Sequence, residues 1–256
     1  MRQLCSDNDG NFDIYSAYVD NLKTIQYSID DAFKNIKIKI ANKKSEEEII
    51  SNAKLLVLLL GIWSEARLEK LINERNIFNK REVQLIESER TKIGQWKLII
   101  ELSFRKHYNI YFGDELTKDN LRNVFKKYNN LILYIENHLQ TIIEVRNKLA
   151  HGQWVCQPNK NKTAQNANIN IQQLQNENFL SLEKKYQILN YLTKIIHDLV
   201  VSPNTFERDF KKNYSAIIPS IHKDSRENYS IVTFICLIRF LSTTSIVNRQ
   251  FSNVIF

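Results

Sequence analysis

Apolar residues recur along this chain at the spacing of three and four that gathers them on one side of a helix. From residue 12 to about residue 40 the positions Ile14, Tyr18, Leu22, Ile25, Ile29, Phe33 and Ile36 keep that period, so one long amphipathic helix is expected there. Ser45, followed by Glu46, Glu47 and Glu48, reads as the next helix start. Its hydroxyl can take an unpaired backbone N–H, and the three carboxylates sit on the positive end of the helix dipole. This second helix should run to about residue 76. A third helical region spans residues 81 to about 108, weakened near Thr91 by the polar stretch Glu87-Ser88-Glu89-Arg90 and by Gly94. After a turn around Gly113, residues 117–127 read as a short helix. Leu131, Ile132, Ile135, Leu139, Ile142, Ile143 and Leu149 then trace the buried stripe of another, ending at Gly152.

Residues 156–177 are rich in Asn, Gln and Lys, contain Pro158 and show no apolar period, which is the composition of a loop. Helices resume over residues 180–201 and from residue 204, with Asn204 as the capping residue after Pro203, to residue 222. Residues 229–242 read as a helix or, given Ile231-Val232-Thr233-Phe234-Ile235, as a strand.

Composition agrees with a helical reading. Five Gly and three Pro in 256 residues leave few places for tight turns, and an all-α fold of long elements follows. The expected organisation is a long N-terminal helix over residues 1–44, a helical bundle core over 45–201, and a C-terminal helical extension over 202–256 packed with the core. The apolar runs at 55–63 and 231–241 fall short of the roughly 20 residues needed to span a bilayer, and the second contains Arg239. Both are expected in the core, with no membrane contact. Cys5, Cys156 and Cys236 are scattered, without metal-ligand or redox spacing. The first residues do not form a basic start followed by an apolar stretch. A cytoplasmic location is the expectation.

A net charge of +8 favours an anionic partner, because each Lys or Arg near a phosphate releases condensed counterions. An Asn/Ile/Lys-rich background accounts for that charge equally well, so charge alone does not decide function. There is no internal repeat, heptad run or Gly-rich phosphate loop, which moves nucleotide hydrolysis down the order. His107, His138, His151, His197 and His222 stand apart in sequence, and neither a metal nor a cofactor is expected.

The chemistry concentrates where one helix stops, at Arg146-Asn147-Lys148-Leu149-Ala150-His151-Gly152. At about 100° per residue, Asn147 and His151 share a helix face and Arg146 lies on the same broad edge, leaving Leu149 and Ala150 for packing. His151 occupies the last turn before a terminating glycine. The negative helix end there favours imidazolium, in a side chain able to exchange a proton near neutrality. Arg146 offers a forked cation to a phosphate whose charge grows in a transition state.

This string resembles the Arg-x4-6-His motif of the HEPN superfamily, including the polar residue after the Arg and the Ala-His-Gly ending. The resemblance covers about residues 45–201. It implies an HEPN-like helical bundle, here with additional N- and C-terminal helices, and a homodimer that brings two motifs into one composite active site. It also implies metal-independent endoribonuclease activity, with Arg146, Asn147 and His151 as the catalytic residues and RNA as substrate. Members are frequent as toxins and antiviral effectors, so an antitoxin or defence partner is implied as well. Gln153 stands where members paired with a nucleotidyltransferase antitoxin often carry Tyr, and silencing by modification there is not expected. The alternative is a non-catalytic module of the same fold that binds RNA, nucleotide or a protein.

Four further features stay open. Lys148 and Trp154 are candidate RNA contacts, one to phosphate and one by stacking, or respectively a solvated cation and a packed surface ring. Glu65, one turn from Glu69, is a candidate carboxylate for orienting the Arg or His, or an ordinary surface charge. Arg105-Lys106-His107-Tyr108 reads as an RNA contact or a charged helix end. His138 is expected at the bundle edge.

Overall fold

The computed structural model describes residues 5, 11–159, 161–164 and 179–224, with backbone alone over 218–224. Among the described residues every regular element is helical. The loop expected at 156–177 lies largely outside these residues, and the segment at 229–242, with Cys236, lies wholly outside them.

Helix α1 (Ile14–Ala41) begins two residues later than the apolar period implies. Asp13 takes the capping place by accepting the Ser16 N–H, and Phe12 is left outside and exposed. Helix α2 (Glu46–Ile72) starts as expected, with the Ser45 hydroxyl accepting the Glu48 N–H. It stops short of residue 76, where Asn76 adopts a left-handed backbone. The third helical region is two helices, α3 (Lys80–Ser88) and α4 (Lys92–Tyr108). Thr91 caps the second by accepting the Gly94 N–H.

The expected helix at 117–127 is broken. Helix α5 is the single turn Lys118–Leu121, and a tight turn at Arg122–Val124 leads into α6 (Phe125–Tyr134). From α6 the chain continues through a π-helical turn at Ile135–Leu139 into α7 (Gln140–Ala150). The reason lies in the stripe. Leu131, Ile135, Leu139 and Ile143 are all buried at a strict spacing of four, and in a straight α-helix each such step gains about 40°. One wider turn of about 4.4 residues absorbs the drift and holds the four on one side.

Helix α8 (Phe179–Val201) follows. Helix α9 (Pro203–Asp224) opens on Pro203 itself, whose fixed φ and missing N–H suit a first helical position. The capping place therefore falls to Ser202, not Asn204, and the Ser202 hydroxyl lies 2.8 Å from that of Thr205.

Helix α2 is the centre of the bundle, packed against α1, α7, α8 and α4. Its apolar run buries Leu56, Val57, Leu60 and Trp63, while Leu55 faces outward. By length and composition α2 could cross a membrane, and 56% of its most apolar window is buried within the protein. Ile29, Phe33 and Ile36 from α1 and Phe206 and Phe210 from α9 join the same core as α2, α4, α7 and α8, so α1 and the described part of the C-terminal extension are continuous with the bundle. Cys5 is half-buried and Cys156 exposed, both with free thiols.

Candidate active site

Arg146 is placed by three residues, two of them on α2. Its aliphatic stem crosses α2 at Gly61, where a Cβ would stand 2.4 Å from the Arg146 Cβ and 2.5 Å from its Cγ. No real Cβ tolerates that approach, so glycine is required for the two helices to meet so closely. Glu65 stands one turn further along α2, and its carboxylate accepts a hydrogen bond from Arg146 Nη2. Nη1 donates to Asn147 Oδ1 at 2.8 Å. The fork is thus fixed at both tips, with further N–H donors left for another oxygen. The Arg146 and Glu65 side chains are 23% and 19% exposed, so the pair is open to solvent on one side only. Burial pushes the Glu65 carboxyl above the usual glutamate range, and Arg146 and Lys92 pull it back only partly.

The pair borders a cleft of about 520 Å³ between the start of α4 and α7, within the size range of small-ligand sites. Arg90, Lys92 and Glu144 also line it. Lys92 is anchored by Glu69 at 2.6 Å and Gln95 at 3.1 Å, which gives the second carboxylate of the Glu65/Glu69 turn a partner of its own.

His151 follows one turn after Asn147. It is the C-cap of α7, its side chain is exposed, and it does not line the cleft. The helix end that holds it is closed several times over. Gly152 takes φ +76°, a conformation that favours glycine, and its N–H donates to Leu149 O while Gln153 N–H donates to Lys148 O. The Trp154 indole N–H adds a second bond to Leu149 O at 2.9 Å. Lys54, 6% exposed, reaches from α2 to Trp154 O at 2.5 Å, and burial holds its ammonium below the usual lysine range. The expectation that Ala150 packs inward is corrected: Leu149 is buried, but Asn147, Ala150 and His151 form one exposed strip.

The other candidates divide. Glu65 lies on Arg146, as just described. Trp154 is half-buried against the core with its N–H spent on the α7 terminus. Lys148 is half-buried and does not line the cleft. Arg105-Lys106-His107-Tyr108 is absorbed by the fold: Arg105 binds Glu101 and the carbonyls of Tyr111 and Asp114, Lys106 binds Ile77 O and Glu82, and Tyr108 donates to Glu207. The His138 ring lies tilted against that of Tyr134, with centroids 5.7 Å apart.

Sequence reasoning missed Gly61, Lys54, Arg90 and Lys92. Gly61 had a signal, as a lone glycine inside the run 55–63 where a helix interior disfavours it. Lys54 and Lys92 are charges whose partners lie 100 residues away or on another helix, and Arg90 joins the cleft only through the packing of α4 beside α7, none of which local sequence encodes. No protein-family model matches the chain, and no match to it is found among curated proteins or among solved structures.

Proposed function

We propose that this chain is a metal-independent endoribonuclease of the HEPN type, acting in the cytoplasm as a homodimer with a composite active site and without a cofactor. The observation that carries the reading is Arg146, fixed by Glu65 and Asn147 at the wall of an open cleft, one helical turn from an exposed His151. The Arg-x4-6-His resemblance, with its RNA substrate and its toxin or antiviral setting, fits that geometry.

The chemistry follows from the residue types. A base removes the proton of an RNA 2′-hydroxyl, whose oxygen attacks the adjacent phosphorus while the P–O5′ bond breaks. The products are a 2′,3′-cyclic phosphate and a 5′-hydroxyl. Arg146 neutralises charge growing on the phosphate oxygens, Asn147 and Glu65 keep its fork aimed, and His151 moves the proton. One imidazole cannot both accept the hydroxyl proton and supply one to the leaving oxygen in the same instant. A second copy, met across the strip of Asn147, Ala150 and His151, supplies the other.

That His151 does not line the Arg146 cleft within one chain favours a second reading, in which the same cleft binds RNA without cutting it. Incubation of the purified chain with RNA in EDTA separates the two. The enzyme reading expects cutting that Arg146→Ala abolishes; uncut RNA bound by folded protein would establish the non-catalytic module.

A further inference from the structure

We propose that the cleft beside Arg146 contains a second phosphate subsite, gripped by Arg90 and Lys92, for the RNA phosphate next to the one being cut. The inference rests on the endoribonuclease reading for its substrate but on separate residues for its binding. Arg90, Lys92 and Arg146 converge on one cleft from two directions, the first pair from the turn into α4 and the third from α7. Lys92 is matched by Glu69 and Arg146 by Glu65. Arg90 is exposed and, among the described residues, has neither a hydrogen bond nor an ion pair.

Among the described residues the cleft therefore holds one cation without an ion-pair partner beside two already fixed in place. Of the three cations on its lining, Lys92 and Arg146 are each matched by a carboxylate of α2, so the charge an entering phosphate meets unmatched is that of Arg90. Glu144, the other carboxylate on the lining, takes the Gln140 amide at 2.8 Å and keeps the Gln140 side of the cleft unfavourable to an anion. A phosphate is thus confined toward Arg90 and Lys92. A guanidinium can grip its oxygens with two parallel bonds, which an ammonium cannot. Two adjacent phosphates of one strand, one on Arg146 and one on Arg90, would fix the direction in which the strand lies. The bases remain unread by these groups, so the subsite confers affinity and register without sequence preference.

The test is fluorescence anisotropy of the full-length chain with a labelled single-stranded 2′-deoxy oligonucleotide, which has the phosphates of RNA but no attacking hydroxyl. Wild type is compared with Arg90→Ala, Arg90→Lys and, as a matched loss of charge elsewhere, Lys211→Ala at an exposed position of α9. Arg90→Ala should weaken binding about tenfold and lower the salt slope by about 0.7, with Arg90→Lys intermediate and Lys211→Ala near wild type. Equal binding by Arg90→Ala and Lys211→Ala, or wild-type binding that ignores salt, would overturn the subsite. Binding through Arg90 by a chain that never cuts RNA would keep the subsite and remove the enzyme. Cutting by wild type with no effect of Arg90→Ala on binding would do the reverse.

Discussion

Arg146 rests on Gly61 so closely that a Cβ at position 61 would come within 2.4 Å of the Arg146 Cβ. The contact joins two facts that sequence presents separately, a glycine inside an apolar helix and an arginine at the end of another. Glu65, one turn past Gly61 on α2, then receives the guanidinium. In an open helix interior Gly61→Ala would stabilise by about 1 kcal/mol. Here the added methyl meets the stem of Arg146, not a flexible tip, and overpacking of this kind costs on the order of 1–3 kcal/mol. Thermal unfolding should show a lower midpoint for Gly61→Ala, and RNA cutting should fall with it. A midpoint above wild type would show that the helices part without strain.

Glu65→Gln should separate function from stability. Burial raises the folded-state pKa of this carboxyl above its ordinary value, so the ionised form is less favourable in the folded chain than in the unfolded one. Its stability contribution declines as pH rises through that window and stays unfavourable at neutral pH. Removing the charge should therefore leave the unfolding midpoint at pH 7 unchanged or higher. Without the carboxylate to aim Arg146, kcat for RNA cutting should drop about 100-fold with KM little altered. An equal fall in stability and activity would reduce Glu65 to a structural ion pair.

Trp154→Phe distinguishes a capping indole from a base-stacking one. Loss of the bond to Leu149 O should cost about 0.5–1.5 kcal/mol in urea unfolding. RNA affinity, read by anisotropy, should stay within about twofold of wild type, because the ring packs on the core and its N–H is spent on the α7 terminus, not on a base. A selective loss of affinity with unchanged stability would return Trp154 to the RNA-contact role.

How much of this could be read from the chain depended on the range of the interaction. Ser45 and Thr91 start helices through bonds to residues three positions on, and that grammar is local. The break at Thr91 was visible for the same reason. The π turn was missed, because the stripe reads as one helix; its signal was the spacing of four in Leu131, Ile135, Leu139 and Ile143, whose drift a straight helix cannot carry. Asn204 failed as a cap because Pro203 is itself helical, a choice between neighbours that side-chain preference alone does not settle. Arg146, Asn147 and His151 form a local string and were legible. That Glu65 would be the carboxylate beneath Arg146 was one of two open readings, since their separation of 81 positions is bridged by packing. Arg105 to Tyr108 carried the same letters as an RNA contact but meets carbonyls and carboxylates contributed by other segments.

Far from the cleft, α9 is held by Glu207, which accepts from Tyr108 and from Lys127 at 2.6 Å. Burial would raise this carboxyl, but the Lys127 and Tyr108 hydrogen bonds outweigh it and set it below the ordinary value of 4.5. A depressed folded-state pKa adds stability that is fully present above the unfolded value and disappears as pH falls through the folded one. The urea midpoints of wild type and Glu207→Gln should therefore differ at pH 7 and converge below about pH 4.5. A gap that stays constant with pH would mean that the carboxylate charge does not hold α9.

The measurement that bears most directly on the proposed activity is end-group analysis of RNA incubated in EDTA with wild type and with His151→Ala. The His151 side chain is exposed and its helix end is closed by backbone and by Trp154, so the variant should keep the circular dichroism and unfolding midpoint of wild type. Wild type should leave 2′,3′-cyclic phosphate and 5′-hydroxyl ends, and His151→Ala should leave the RNA intact. Cyclic-phosphate ends produced equally by folded His151→Ala, or no cutting of RNA by folded wild type, would contradict the proposed role of the Arg146 to Gly152 segment.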